Sequence, residues 1–245
     1  MLRISMFSAV LALGLGLTAC ATEQPADDEL AGESADDGEA GKGDSAAAFD
    51  FFAADPDVRA CSFDARCGGF FISRPNRAST ICGRGSQGAR CYVDGIDWSG
   101  TALPASVAQN YEAMLRKGTK LILKGSIAPD PADRGSVFAV TEVWLPRSET
   151  GVIDGVAVLV KDNGVRCITA PCPSLTELRV NSNRFANITD LDLAASGADE
   201  LAIEIASRAL FEDGVLVFGD RYYPGKNGKG RAANQFYTRA PVPMF

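Results

Sequence analysis

The chain contains no histidine. That absence removes the imidazole-activated serine or cysteine nucleophile, zinc sites built on histidine ligands and the imidazole proton shuttle. No serine has a lysine three residues on, so the lysine-dependent serine motif is missing as well. The cysteines stand at C-x5-C and C-x4-C and never at C-x2-C, which speaks against a zinc ribbon or a thioredoxin-type redox centre. The basic, glycine-rich run Pro224 to Arg231 fails the phosphate-loop pattern, because Arg231 stands where lysine is needed and no Ser or Thr follows. It reads instead as a hairpin loop. Long apolar runs are also lacking. The one extended run, about Met6 to Leu17, is too short to span a bilayer.

What is present begins with that run. Arg3, the apolar stretch and small residues ahead of Cys20 describe a secretory signal over residues 1–19. Leu17-Thr18-Ala19-Cys20 has the form of a bacterial lipoprotein cleavage site, with Cys20 taking a diacylglyceryl thioether and palmitate-type chains. The alternative is ordinary signal cleavage with an incidental cysteine. Buried acyl chains contribute roughly 0.8 kcal/mol per CH2, so two or three chains anchor stably where one does not. The expected address is the cell envelope. Ala21 and Thr22 carry no aspartate retention signal, which favours the outer membrane.

Residues 20–48 contain no aromatic residue and a single leucine, and they are rich in Ala, Gly, Ser, Asp and Glu. Such a segment cannot bury enough apolar surface to fold, so it is expected to be a disordered tether. It holds nine acids and one base, Lys42. Setting these and Arg3 aside leaves 22 bases and 22 acids in residues 49–245, out of 24 and 31 in the whole chain. The folded part is therefore neutral. An acidic tether on a neutral domain excludes an electrostatic case for nucleic acid.

Residues 49–147 and 152–245 follow one order of elements, read as β-β-β-α-β-β in each. An apolar run and a cysteine pair lead to GGFFISRPN and CYVDGIDW in the first half, and to SLTELRVNSN and NITDLDL in the second. A helical pattern follows over Pro104 to Lys117, matched by Asp199 to Glu212, with Ser196 and Asp199 resembling a capping box. Two strands close each half. Asp97 to Asp192 and Leu115 to Leu210 share an offset of 95, whereas Cys61 to Cys167 is offset by 106 because the first half carries an insert. The expected fold is α+β, two tandem units that are each a small antiparallel sheet with one packed helix.

Six cysteines remain after Cys20, an even number in a chain expected to be exported. Spacing alone leaves fifteen pairings. The repeat narrows them: the second half owns only Cys167 and Cys172, position then pairs Cys61 with Cys67, and Cys82 is left with Cys91. Pro171 and Pro173 stiffen the second of these loops, which suits recognition or merely a stapled turn.

Paired carboxylates are the surviving route to hydrolysis without histidine. The candidates are Asp94 with Asp97 and Asp190 with Asp192. Residues two apart in a strand share a face, yet both pairs precede a helix, where acids also close turns. Calcium ligation is a weaker option for them, and no metal or cofactor is otherwise called for. Trp98, Trp144, Tyr222 and Tyr223 are candidate carbohydrate-stacking residues if they are exposed.

The run Cys61, Cys67-Gly68-Gly69-Phe70-Phe71-Ile72, Asn76, Thr80, Cys82, Cys91-Tyr92-Val93 and Ile96-Asp97 resembles that of uncharacterised myxobacterial lipoproteins and secreted proteins carrying a cysteine-bearing domain of unknown function. Gly164-Val165-Arg166-Cys167-Ile168-Thr169-Ala170-Pro171-Cys172-Pro173-Ser174 is similar to a second motif of the same proteins. The resemblance implies membership and no activity. The expected function is a non-catalytic binding or structural module held at the membrane by its N-terminal lipid, with an envelope protein or a glycan as partner. The alternatives are a hydrolase using the paired aspartates, a protease-inhibitor-like module presenting the Pro171 loop, and a carbohydrate binder.

Overall fold

A computed structural model describes residues 50–60, 66–129, 135–148, 153–225 and 227–241. Cys20, the signal and tether segments, and Cys61 lie outside the described residues. Alternating apolar positions set the strands, since side chains point to opposite faces with a period of two. In the first half these are β1 (Asp50–Pro56), β2 (Phe70–Ser73), β3 (Thr80–Ile81), β4 (Gln87–Gly88), β5 (Cys91–Val93) and β6 (Gly95–Asp97). Helix α1 (Ala105–Arg116) follows, then β7 (Ile122–Pro129) and β8 (Ser136–Pro146). The second half has β9 (Val156–Asp162), β10 (Leu175–Arg179), β11 (Phe185–Ile188), β12 (Asp190–Asp192), α2 (Glu200–Ala209), β13 (Val215–Tyr222) and β14 (Gly230–Arg239).

The same pairings occur in both halves. β1 lies between β2 and β7, as β9 lies between β10 and β13. β6 runs parallel to β8, as β12 runs parallel to β14. Even the irregularities correspond, with register shifts at Lys124/Gly125 and Phe218/Gly219. Each shift needs a glycine, because a Cβ there would stand 2.1 Å from Ala139 O or 1.9 Å from Ala232 O. CYVDGIDW and NITDLDL are each split into two strands, so four sheet strands rather than three precede each helix.

The α+β expectation of two separate sheets is overturned. Strand makes up 44% of the structure and helix 15%, and the halves share one twelve-stranded sheet. They join where the last strands pair antiparallel, Tyr237 with Pro146, Thr238 with Leu145 and Arg239 with Trp144. Among the described residues only β3 and β4, inside the first-half insert, form a separate hairpin. The cause is exposed backbone: β8 and β14 each end a half with a free edge, and edge N–H and C=O groups are satisfied by pairing with each other.

Three cores result. Phe52, Ala54, Phe70, Ile72, Leu123, Phe138 and Val140 pack with Leu115 of α1. Val156, Val158, Val160, Val215, Val217 and Phe236 pack with Ala206 of α2. The alternate residues of the same strands, Ile122, Trp144, Ala157, Leu216, Phe218 and Tyr237, form a third core shared by the halves. Each central strand therefore buries both faces.

The halves also exchange asparagines. Asn76 and Asn181 hold φ values of 60° and 59°, the left-handed region that asparagine tolerates better than most residues. Asn76 Nδ2 donates to Ala157 O at 2.6 Å and to Val180 O at 3.0 Å, while Ala157 N donates to its Oδ1 at 2.9 Å. Reciprocally, Asn181 Nδ2 donates to Phe51 O at 2.9 Å and to Pro75 O at 3.0 Å, and Phe51 N donates to its Oδ1 at 2.9 Å. The exchange has the form of an isologous interface within one chain.

At the helix starts, the capping-box reading is corrected. Asp199 itself caps α2 by accepting from Ala202 N at 2.7 Å. Ser196 instead closes a preceding 3-10 turn, its hydroxyl donating to Leu193 O. No helix among the described residues is long and apolar enough to cross a membrane.

Candidate functional site

The most prominent surface feature follows β9. Cys167 and Cys172 are disulfide-bonded, with Cα atoms 5.5 Å apart, and Gly164 through Pro171 are all exposed. Ile168 lies wholly in solvent, at 104% relative exposure. The base of the loop is held by short-range bonds. Gly164 N donates to Asp162 Oδ1 at 2.8 Å and Val165 N to Asn163 Oδ1 at 2.9 Å, the Asx turns expected of Asp-Asn-Gly. Asn163 Nδ2 closes the far side by donating to Pro173 O at 2.9 Å. Arg166 folds back onto Asp162 at 3.0 Å, and its hydrogen bond, aided by that of the Gly164 N–H, holds the Asp162 carboxyl below its ordinary range. An apolar tip is thereby presented on a fixed frame, with little ordering entropy left to lose on binding.

Cys82 and Cys91 form the second disulfide, Cα atoms 5.3 Å apart, across the first-half insert. Cys67 is also disulfide-bonded.

The four candidate aspartates do local structural work. Asp94 Oδ2 accepts from Ser136 N at 3.1 Å and lies 3.7 Å from Arg66 Nη1. Asp97 accepts from Ser99 N at 2.9 Å, and that backbone bond lowers its pKa. Asp192 accepts from Ala195 N at 3.1 Å in the matching turn of the second half. Asp190 accepts from its neighbour Leu191 N and from the Tyr222 hydroxyl. A general acid requires a raised pKa, and Asp97 moves the other way. Among the described residues no three Cys, Asp or Glu side chains are gathered to hold a metal ion.

The aromatic candidates do not form a platform. Trp144 is buried in the shared core at 2% exposure. Trp98 packs on Tyr111 and donates to Glu112, and Tyr222 is bound to Asp190; only Tyr223 is exposed.

Sequence reasoning missed a buried ion cluster. Glu177 on β10 accepts from Arg231 Nε at 2.9 Å and Nη2 at 3.2 Å, and from Arg221 Nε at 3.1 Å, with Arg221 Nη2 also bonded to it. Arg231 Nη1 donates to Gly219 O at 2.8 Å. Glu177 and Arg231 are 2% and 1% exposed, so this is a desolvated network in the second core. The first half has Ile72, Ile127 and Phe138 at the matching register positions. A single sequence offers no signal for it, since charged residues in alternating strands ordinarily face water. A second missed feature is an arginine–aromatic stack on the first half, with Phe71 and Tyr92 paired across β2 and β5, Arg90 4.3 Å from the Phe71 centroid and Arg59 4.9 Å from it.

A family model described as Domain of unknown function (DUF6748) matches residues 50–242, which includes both halves of the sheet. The chain belongs to this family. No curated protein and no solved structure matches it. The DUF6748 match begins at the first residue of β1 and ends just beyond β14, so the family domain contains the joined sheet, the loop and the ion cluster together.

Proposed function

We propose that this DUF6748 chain is a lipid-anchored envelope protein whose folded part is a non-catalytic binding module. Cys20 carries the lipid, residues 20–48 form the acidic tether, and the outer membrane is the favoured address. The partner is an envelope protein or glycan recognised through the Cys167–Cys172 loop. The supporting observation is Ile168, a large apolar side chain held fully in solvent on a disulfide-closed frame. Exposing it gains nothing for folding, whereas burying an isoleucine against a partner contributes about 1.5–3 kcal/mol. The aspartates' capping of local turns lends no support to hydrolysis. A protease is a specific form of the same reading, since a rigid convex loop is the shape that enters an active-site cleft.

The test is photo-crosslinking in cells from residue 168 of the full chain, with position 223, another exposed large side chain, as the control. A discrete adduct from position 168 that is absent from position 223 is expected. Equal labelling from both positions would defeat the loop reading. Fatty-acid labelling that is lost in Cys20→Ser tests the anchor, and unchanged labelling would defeat it.

A further inference from the structure

The shared core contains two polar atoms that the apolar packing does not satisfy. Trp144 Nε1 and Tyr237 Oη are buried and have no hydrogen-bond partner. Both residues are closed off, at 2% and 0% exposure. They are also neighbours by register. Trp144 stands opposite Arg239 and Tyr237 opposite Pro146, which makes them diagonal partners across the β8–β14 joint, on the face turned to the shared core. The joint is the place where the equivalent last strands of the two halves pair, and Trp144 and Tyr237 hold matching register positions on them.

Buried donors are satisfied in nearly all native structures, and an orphan calls for a specific partner. An indole N–H can only donate. Burial pushes the Tyr237 phenol up, which keeps its proton in place across the physiological range. The surrounding wall is apolar, made by Phe51, Ile122, Ala157, Leu216 and Phe218. The cations beside this wall, Lys124 over Phe51 and Arg239 opposite Trp144, are already paired with Glu142 and Asp213. A carboxylate or phosphate would lose its hydration and meet those acids, so a charged acceptor does not fit.

We propose that the shared core binds a neutral hydrogen-bond acceptor between the half-sheets, held by Trp144 Nε1 and Tyr237 Oη. The acceptor is an ordered water or the carbonyl of a small apolar ligand. Buried waters of this kind make about three hydrogen bonds to otherwise unsatisfied groups. The site is independent of the exposed loop and of the envelope address.

The test uses the full-length chain carrying Cys20→Ser, so that acyl lipid is not mistaken for a core ligand, and Trp98→Phe, so that Trp144 supplies the sole indole signal. A water cross-peak at the Trp144 indole proton identifies water, and a small molecule released on denaturation and detected by mass identifies the ligand. In the same background Tyr237→Phe is expected to lower Tm by about 2–4 °C, the shift for roughly 1 kcal/mol in a domain of this size. One of the two signals together with that loss supports the site. Absence of both signals, or a Tyr237→Phe protein melting at or above its parent, overturns it.

Discussion

Asn76 and Asn181 tie the two halves of the sheet to each other. Each closes three hydrogen bonds to the opposite half from a backbone conformation that a β-branched or aliphatic residue resists. Asn181→Ala is expected to cost about 3 kcal/mol, because it leaves three part-buried backbone groups without this partner as well as straining φ. Asn181→Gly relieves only the strain and should recover about 1 kcal/mol of that in chemical denaturation. Glu177 poses the opposite kind of test. Glu177→Ala leaves two guanidinium groups facing each other in a dry core, and a loss of about 3–5 kcal/mol is expected. Replacing the set by its first-half counterparts, Glu177→Ile with Arg221→Ile and Arg231→Phe, should be neutral or stabilising. A triple variant less stable than Glu177→Ala would show that the cluster has no apolar equivalent. Neither the asparagines nor Glu177 could be ranked from the sequence, since their partners lie 44 to 130 residues away.

At the scale of elements, the loops after β1 and β9 share a chemical device. Arg59 donates to Asp57 through Nε at 2.8 Å and holds its carboxyl down at about 2 from an ordinary 3.8, and Arg166 does the same for Asp162 to a lesser degree. A depressed carboxyl contributes stability above its unfolded value and loses it as pH falls through the folded one. The Asp57 base should therefore hold at pH 5 and loosen between about pH 4 and pH 2, and the Asp162 base should loosen as pH falls below the ordinary carboxylate range. The amide protection factors of Gly164 and Val165 followed downward from about pH 5 are the measurement, and Asp162→Asn should make the Gly164 protection factor independent of pH. The helices were legible as elements, with α1 at Ala105–Arg116 inside the expected 104–117, because a 3.6-residue period is local information. The separation of β5 from β6 was not legible, since a single residue between two short strands leaves no mark in an apolar pattern.

For the whole molecule, the shared core decides how the halves depend on each other. Residues of β1, β7 and β8 that face it, such as Phe51, Ile122 and Trp144, have nothing to cover them without β9, β13 and β14. Residues 49–147 and 152–245 made as separate chains are thus expected to lack cooperative unfolding transitions, whereas the full chain unfolds in one. Equilibrium urea melts followed by near-ultraviolet dichroism would show this. A sharp transition in either isolated half would mean that the joint is dispensable.

The apolar alternation, the helix periods, the neutrality of the folded part and the lack of histidine follow from residues close together or from composition, and the pairing of Cys82 with Cys91 and Cys167 with Cys172 follows from comparing the two halves, which is why the sequence alone determined them. One sheet instead of two was decided elsewhere. A strand buried on both faces and one buried on a single face differ only in what comes to lie against them, and the partner for β8 is β14, some ninety residues on. The shared core, the asparagine exchange and the Glu177 cluster exist because of that pairing. Only the tertiary structure could therefore place them.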